Sequence, residues 1–125
     1  MPTQILLVED SQTQAIQIKL VLENAGDVDV EVAPTGLDGL RLARDLNPAL
    51  IILDIVLPDM DGFQVCRRLK RDPVTMGIPV IMLTEKSSAN ATASGLQAGA
   101  DDYIPKDIFA AEHLIETLRE LGLLT

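Results

Sequence analysis

A chain of 125 residues with 47% hydrophobic and 23% charged side chains has the length and composition of one globular domain that buries a core. The net charge of −9 argues against binding to a nucleic-acid backbone, and an aromatic content of 2% leaves few side chains for stacking on bases or a flat cofactor. No apolar run approaches the roughly 20 residues that a membrane span requires, so we expect no membrane segment.

The N-terminal sequence and the cysteine content predict where the protein resides. The sequence MPTQILLVED has no basic residue before its apolar stretch, so it does not resemble a signal peptide. Cys66 is the single cysteine and cannot form an internal disulfide, which is typical of a reducing compartment. We therefore expect a cytoplasmic protein. Since no repeat, low-complexity tract or linker interrupts the chain, residues 1–125 are expected to form a single domain.

The first half of the chain alternates between predicted strands and helices. The predicted bounds are, in chain order, strand Gln4–Glu9, a helix from Ser11 to Gly26, strand Val28–Val32, helix Gly36–Leu46 and strand Leu50–Leu53. The first and third strands are short apolar runs that end in acids, as buried parallel strands do. Alternation of valine with acids in the second strand indicates a position near the edge of the sheet. Ser11 is a plausible N-cap for the first helix.

The second half repeats the pattern after a loop over Val56–Gly62. The predicted bounds are a helix through Arg71, strand Pro79–Thr84, helix Ser87–Ala98, strand Asp102–Pro105 and a last helix whose inner face carries Ile108, Ala111, Ile115, Leu118 and Leu121. The helix over Ser87–Ala98 is rich in Ser, Asn, Thr and Gly, which are poor helix formers. We hypothesise that this low helicity suits a surface that changes shape.

Five alternations of strand and helix predict βαβ units and a parallel sheet covered on both faces. The expected fold is α/β, a flavodoxin-like doubly wound (βα)5 arrangement with strand order 2-1-3-4-5. In that order the ligand crevice lies at the carboxyl ends of strands one and three.

Acidic side chains follow the two strands that flank this crevice. Glu9 and Asp10 come after strand one, and Asp54 closes strand three. Carboxylates that crowd together raise each other's pKa, and a bound divalent cation relieves the repulsion. Mg²⁺ prefers oxygen ligands and binds through a few carboxylates plus a phosphate. The alternative interpretation, that these acids cap helices or solvate strand ends, is weaker for all three together than for Asp10 alone.

Two further side chains complete a site suited to phosphoryl transfer. Thr84 ends strand four with a hydroxyl that can donate to a phosphoryl oxygen, and Lys106 lies just past strand five with a mobile positive charge. Catalysis of phosphoryl transfer is mostly positioning and neutralisation of charge, and a carboxylate can act as the nucleophile. Taken singly, Thr84 is equally compatible with a buried strand residue and Lys106 with a surface lysine.

Segments in order along the chain resemble a known family. LLVEDS, LIILDIVLPDMDG, PVIMLT and GADDYIPK together resemble bacterial two-component response-regulator receiver domains over essentially the whole length. The resemblance is to single-domain receivers of the chemotaxis type.

The resemblance implies a role for each matching position. It implies that Asp54 is the phosphoacceptor, that Glu9 and Asp10 serve Mg²⁺ with Asp54, and that the backbone carbonyl of Val56 is a further metal ligand. The remaining roles that it implies are a switch hydroxyl on Thr84, a phosphate-pairing ammonium on Lys106 and a rotating aromatic ring at Tyr103.

The resemblance also implies partners and an output. The expected phosphoryl donor is a histidine kinase or phosphotransfer protein. The expected output is a changed contact with a downstream protein effector. Dimerisation on phosphorylation occurs in the family, so a homodimer is among the assemblies that it allows. We expect neither direct nucleic-acid contact nor a conventional enzyme: the chain would catalyse its own phosphorylation and dephosphorylation only.

Two positions depart from the usual family pattern. Members of the family usually have a proline after the lysine, joined by a cis bond, whereas Asp107 follows Lys106 here. A cis bond before a non-proline residue costs roughly 2.5–4 kcal/mol, so we expect either a trans bond or a strained loop. Asp107 is also a candidate N-cap of the last helix. Glu85 replaces the small residue that usually follows the switch threonine, and its charge could repel an acyl phosphate.

Three other functions are each compatible with part of this sequence pattern. A phosphate-independent interaction module is suggested by Glu85 and Asp107, but the intact acid, threonine and lysine set argues against it. A phosphohydrolase working through an aspartyl phosphate would need an acid two residues after Asp54, where Val56 stands. A flavodoxin-type electron carrier shares the fold class, but the first loop lacks glycine and would repel a flavin phosphate.

Overall fold

The computed structural model describes residues 2–85 and 89–124, and within these ranges five strands alternate with five helices. Their bounds are β1 Thr3–Val8, α1 Gln12–Ala25, β2 Val28–Ala33, α2 Gly36–Leu46, β3 Leu50–Leu53, α3 Gly62–Arg71, β4 Val80–Thr84, α4 Ala89–Gln97, β5 Asp102–Pro105 and α5 Ala110–Glu120. In these ranges no helix has both the length and the apolar character needed to cross a membrane.

The strands form one parallel sheet in the order β2-β1-β3-β4-β5, which confirms the predicted order. β1 lies between β2 and β3, with Ile5 opposite Val30 on one side and Leu50 on the other. The order changes direction between β1 and β3, so their carboxyl ends border a crevice. The flavodoxin-like doubly wound α/β fold predicted from the sequence is therefore confirmed.

Apolar side chains cover both faces of the sheet. On one face Ile5 and Leu7 of β1 pack with Leu22 of α1 and Leu118 of α5. The residues that pack on the other face, from β1, from α2 and α3 and from the turn after α4, include Leu6, Val8, Ala43, Leu69 and Ala98. Because both faces are buried, β1, β3 and β4 are almost wholly apolar and end where polar residues begin.

Polar side chains fix the starts of three helices near the crevice. Ser11 Oγ accepts a hydrogen bond from the Gln14 amide, as expected for the predicted N-cap of α1. Thr35 caps α2 in the same way, and Asp61 caps α3 by accepting from the Gln64 amide at 2.9 Å. The loops that follow β1, β2 and β3 are therefore anchored where the site residues lie.

Most element bounds agree with the predictions, and the differences are small. β1 ends at Val8 and β4 begins at Val80, each one residue inside the prediction. α4 ends at Gln97, and its predicted start at Ser87 lies outside the described residues.

The predicted inner face of the last helix is partly wrong. Leu114 and Leu118 are the buried positions of α5, whereas Ile108 is 87% exposed and Leu121 is 45% exposed. The helix begins at Ala110 and has Leu121 as its C-cap. Ile108 therefore precedes the helix and Leu121 ends it, so neither residue follows the helical periodicity used to predict the face.

Candidate functional site

An open pocket of about 190 Å³ lies at the carboxyl ends of the central strands. The residues that line it are Glu9, Asp10, Ser11, Gln14, Asp54, Val56, Thr84, Glu85 and Lys106. This lining brings together the predicted acids, the predicted threonine and the predicted lysine, from loops that are distant in sequence. The sheet topology explains this convergence, because the ends of β1, β3, β4 and β5 meet at one edge.

Three carboxylates converge at this pocket. Carboxylate oxygens of Glu9, Asp10 and Asp54 all lie within 4.8 Å of one another. Glu9 and Asp54 are buried, with 3% and 7% of their surfaces exposed, whereas Asp10 is exposed. The site therefore has two buried acids and one acid at its solvent side.

The Asp54 carboxylate is fixed through both of its oxygens. Its Oδ1 accepts hydrogen bonds from the backbone amides of Ile55 at 2.7 Å and Val56 at 3.4 Å. Its Oδ2 accepts from Lys106 Nζ at 3.0 Å. Donors on both oxygens set the direction in which the carboxylate faces the pocket.

The Lys106 ammonium is the positive centre of the site. Its Nζ donates to Glu9 Oε1, to Asp54 Oδ2 at 3.0 Å and to Gln14 Oε1 at 2.6 Å. An ammonium group has three N–H donors, so these three acceptors use all of them. Lys106 therefore links the end of β1, the end of β3 and the first turn of α1.

The surroundings shift the pKa values of Glu9 and Lys106 upward. Burial raises the pKa of Glu9 and the Asp54 charge adds to this, while the hydrogen bond from Lys106 opposes it. Burial works against the Lys106 ammonium, but the hydrogen bonds and charges of Glu9 and Asp54 outweigh it and raise the pKa of Lys106. A cation near Glu9 is thus favoured electrostatically, and Lys106 supplies one.

Thr84 and Tyr103 lie on the side of the pocket formed by β4 and β5. Thr84 is fully buried at the end of β4, and its backbone oxygen accepts from the Lys106 amide at 2.8 Å. Tyr103 is partly buried and packs against the core beneath α4, where a Cβ on Gly95 would lie 2.9 Å from its ring. Burial and the Asp54 charge raise the pKa of Tyr103. Thr84 therefore lies in the lining of the pocket. Tyr103 is linked to the pocket through the Asp54 charge and to α4 through its packing beside Gly95.

The β3–α3 loop positions Val56 at the pocket. Val56 forms an isolated antiparallel bridge with Asp61, which folds the loop back on itself. Asp59 accepts from the amides of Gly36 at 2.8 Å and Leu37 at 2.9 Å, so the loop is tied to the start of α2. These hydrogen bonds lower the pKa of Asp59. The role of the Val56 carbonyl as a metal ligand stays a prediction.

The two departures noted in the sequence occupy different places. Glu85 is exposed and lines the pocket at its rim. No peptide bond within residues 2–85 and 89–124 is cis, so the Lys106–Asp107 bond is trans. Asp107 is not the N-cap of α5, which is Phe109; its carboxylate instead accepts from the Phe109 amide at 2.8 Å in the preceding turn. The prediction of an Asp107 N-cap was wrong because α5 begins two residues later than that interpretation requires.

Gln14 is a residue of this site that the sequence did not reveal. The spacing Ser11-x-x-Gln14 is that of a capping box, in which the glutamine side chain would return to the Ser11 amide. In the structure that amide donates to Glu9 Oε2 at 3.3 Å, and Gln14 Oε1 accepts from Lys106 instead. This local spacing is compatible with a helix-capping glutamine, and nothing in it points to a lysine 92 residues away.

The donor set of the pocket fits a hard divalent cation. All three acids offer carboxylate oxygens within 4.8 Å of one another, and oxygen is the ligand atom that Mg²⁺ prefers. Burial, and after it the Asp54 charge, raises the pKa of Glu9, and a divalent cation beside this carboxylate would favour its ionised form.

Comparison with known protein families agrees with this geometry. A family model described as the response regulator receiver domain matches residues 5–119. A curated relative, the DNA-binding dual master transcriptional regulator RpaA of Synechocystis sp., is 42% identical over 117 residues, which are 94% of this chain and 48% of that protein. The chain thus spans about half the length of the curated relatives it matches.

Two solved structures are also similar to this chain in sequence and in fold. The signal receiver domain of a signal transduction histidine kinase from Syntrophus aciditrophicus is 39% identical with a TM-score of 0.85, covering 95% of this chain and 89% of that one. The chemotaxis protein CheY4 of Vibrio cholerae is 28% identical with a TM-score of 0.87, covering 97% and 99% of the two chains. The folds therefore superimpose over almost their full lengths.

Proposed function

The chain belongs to the response regulator receiver domain family of two-component systems, which is switched by phosphorylation of an aspartate, and from this premise we propose that Asp54 is the phosphoacceptor. One observation carries the assignment: the Asp54 carboxylate is buried in the pocket with Lys106 on one oxygen and the Ile55 amide on the other. The other acids of the same loop, Asp59 and Asp61, are exposed and bind helix N-termini.

The proposed reaction is a phosphoryl transfer to a carboxylate. A bond forms between an Asp54 carboxylate oxygen and the phosphorus of the donor, while the bond from phosphorus to the leaving group breaks. Asp54 attacks in its ionised form, so it has no proton to lose. Lys106 donates to the phosphoryl oxygens and offsets their charge, and the Thr84 hydroxyl donates to the same oxygens. By the same arrangement, the chain would catalyse its own phosphorylation and dephosphorylation.

Receiver domains typically bind Mg²⁺ at an acidic pocket, and we assign that site here to Glu9, Asp10 and Asp54 with the backbone carbonyl of Val56. When bound, the ion would neutralise charge on the carboxylates and on the incoming phosphoryl oxygens. Asp10 is exposed and would hold the solvent side of the ion, while the buried Glu9 and Asp54 would hold the inner side.

The phosphorylated site would change the surface around α4 and β5. A new dianion on Asp54 attracts the Thr84 hydroxyl and Lys106, and movement of Thr84 gives the Tyr103 ring room to turn inward. Since Tyr103 packs beside Gly95, this movement would reach α4 directly. The low helix propensity of α4 is consistent with a surface that rearranges at little cost.

The partners proposed are proteins. A histidine kinase or a phosphotransfer protein supplies the phosphoryl group, and a downstream protein effector or a second copy of the chain reads the altered surface. RpaA is named as DNA-binding, but this chain spans about half of such relatives and carries a net charge of −9. We therefore propose that residues 1–125 act as one receiver domain through protein contacts, in the cytoplasm, rather than by contact with nucleic acid.

Intact-mass detection of phosphorylation by a small acyl-phosphate donor tests this function. The expected result is an added phosphoryl mass that requires Mg²⁺ and is lost in Asp54→Asn, whose side chain keeps the size of the carboxylate without its charge. Beryllofluoride binding, read from the fluorescence of Tyr103, is measured in parallel, because the chain has one tyrosine and no tryptophan. Failure of both measurements would favour the phosphate-independent module.

A further inference from the structure

Gln14 is held where its side chain faces the site rather than its own helix. Ser11 Oγ accepts from the Gln14 amide at 3.3 Å and fixes the backbone of the first turn of α1. In a capping box the glutamine side chain would accept a hydrogen bond from the Ser11 amide. Here that amide donates to Glu9 Oε2 instead. The Gln14 side chain is thereby left to accept from Lys106 Nζ at 2.6 Å.

The three acceptors of Lys106 are not equivalent. Glu9 and Asp54 are carboxylates, and each bond to the ammonium joins two opposite charges. The Gln14 oxygen belongs to a neutral amide. Hydrogen bonds between two charged groups are stronger than bonds with a neutral acceptor, so the bond to Gln14 is the one that costs least to break.

Phosphorylation turns the Asp54 carboxylate into an acyl phosphate, so Lys106 loses one charged acceptor and turns toward the phosphoryl oxygens, which now carry the negative charge. All three of its N–H donors are already used, and the phosphoryl oxygens need a donor from the same ammonium. We infer that Gln14 is a positioning residue of the switch, whose side-chain oxygen holds the third N–H of Lys106 in the unphosphorylated site and releases it when Asp54 is phosphorylated. This inference rests on the proposed function.

Gln14 therefore stabilises the unphosphorylated arrangement relative to the phosphorylated one. Its hydrogen bond is present before phosphoryl transfer and absent afterwards, so removing the acceptor shifts the equilibrium toward the phosphorylated form. Replacing the amide by a carboxylate has the opposite effect, because it holds the ammonium more strongly and adds negative charge beside the phosphoryl group.

The test compares Gln14→Met, which removes the acceptor at similar length, with Gln14→Glu and with the matched control Gln12→Met. Gln12 is an exposed glutamine in the same helical turn and does not line the pocket. Beryllofluoride is titrated at fixed Mg²⁺ against each variant of the chain of residues 1–125, with Tyr103 fluorescence as the signal. We expect Gln14→Met to bind about fivefold more tightly, the size of one net hydrogen bond, Gln14→Glu to bind more weakly, and Gln12→Met to match the native chain.

A second readout needs no metal. In the metal-free protein the ¹⁵N signal of the Lys106 ammonium reports its exchange with water, which is slow while all three donors are held. Gln14→Met should raise that exchange rate about fivefold, again by the loss of one hydrogen bond, while Gln12→Met leaves it unchanged. A thermal unfolding curve for each variant establishes that it is folded.

The outcomes separate the two claims. Native protein that binds no beryllofluoride overturns the proposed function, and the ammonium exchange rate then decides the contact between Gln14 and Lys106 alone. If the native chain binds beryllofluoride as tightly as Gln14→Met, or more tightly, the role of Gln14 is overturned and the proposed function stays intact. An unchanged ammonium exchange rate in Gln14→Met likewise overturns the role of Gln14.

Discussion

Gly62 packs against the backbone of Asp54 more closely than any other residue type allows. A Cβ on Gly62 would overlap the backbone oxygen of Asp54 and lie 2.7 Å from the Cα of Ile55. The Gly62 amide also donates to the Ile55 oxygen at 2.7 Å. The start of α3 therefore fixes the backbone of Asp54, and the absence of a side chain at Gly62 is what permits it.

We expect Gly62→Ala to lower the free energy of unfolding by about 2 kcal/mol, because the added methyl group forces backbone atoms apart. It should also slow phosphorylation, since the Asp54 carboxylate moves with its backbone. Urea unfolding and intact-mass kinetics measure the two effects. Gly77→Ala is the matched control, because a Cβ there meets nothing within 4 Å. Equal behaviour of the two variants would show that Gly62 does not constrain Asp54.

Tyr103 should report the charge of Asp54 through its own ionisation. Burial, and second to it the Asp54 charge, raise the pKa of Tyr103 above its ordinary value of about 10. Asp54→Asn removes the charge and leaves the burial, so the midpoint should fall but stay above the ordinary value. Ultraviolet absorbance of the tyrosinate measures it without ambiguity, since the chain has one tyrosine. An Asp54→Asn midpoint equal to that of the native chain would argue against this electrostatic link.

Asp59 should make the fold sensitive to acid. Amides of Gly36 and Leu37 lower its pKa, so the folded chain binds a proton at Asp59 less readily than the unfolded chain does. The resulting stability is complete above the ordinary pKa of an aspartate and is lost as pH falls through the lower folded value.

Urea unfolding of Asp59→Asn measured at pH values on both sides of about 4 checks this linkage. We expect the native chain to lose more stability than the variant as the pH falls through this window. Asp45→Asn serves as the control, because the Asp45 carboxylate faces the Arg41 side chain at 3.7 Å rather than a helix start. Parallel pH curves for native protein and Asp59→Asn would contradict the assignment.

Two side chains of α1 cover the open edge of the sheet. Glu23 Oε2 accepts from the Val30 amide and Lys19 Nζ donates to the Val30 oxygen, each at 3.0 Å. Val30 lies in the edge strand β2, where unpaired backbone groups could bind a strand of another molecule.

We expect Glu23→Ala to cost about 1 kcal/mol of stability, the net value of a hydrogen bond, and to increase self-association at high concentration. Urea unfolding and sedimentation measure the two consequences. Glu31→Ala, which truncates an exposed glutamate on the same strand, should change neither. If the two variants self-associate to the same extent, Glu23 does not protect this edge of the sheet.

The strands of the sheet and the acids at their ends could be predicted from the sequence, because both follow from short local patterns of apolar and acidic residues. An apolar run that ends in an acid, such as Leu50–Leu53 before Asp54, indicates a buried strand with a carboxylate at its end. The βαβ alternation then sets the strand order, and the order places Glu9 beside Asp54. Resemblance to the receiver family supplied the individual roles.

Features that depend on tertiary contacts could not be predicted in the same way. The burial of Leu114 in place of Ile108 depends on where α5 begins, which the apolar spacing alone does not fix. The contact between Gln14 and Lys106 depends on Glu9 taking the Ser11 amide, a competition that appears only after β1 and β5 are assembled. Local rules thus failed where a distant residue changed the partner of a side chain.

Borohydride reduction of the phosphorylated chain tests the central claim most directly. The reagent converts an aspartyl phosphate to homoserine, and trypsin then releases the peptide that spans residues 45–67 and contains Asp45, Asp54, Asp59 and Asp61. Fragmentation of this peptide by mass spectrometry locates the homoserine. We expect homoserine at position 54, and only when Mg²⁺ is present during phosphorylation. Homoserine at position 45, 59 or 61, or in another peptide, would contradict the assignment of Asp54 as the phosphoacceptor.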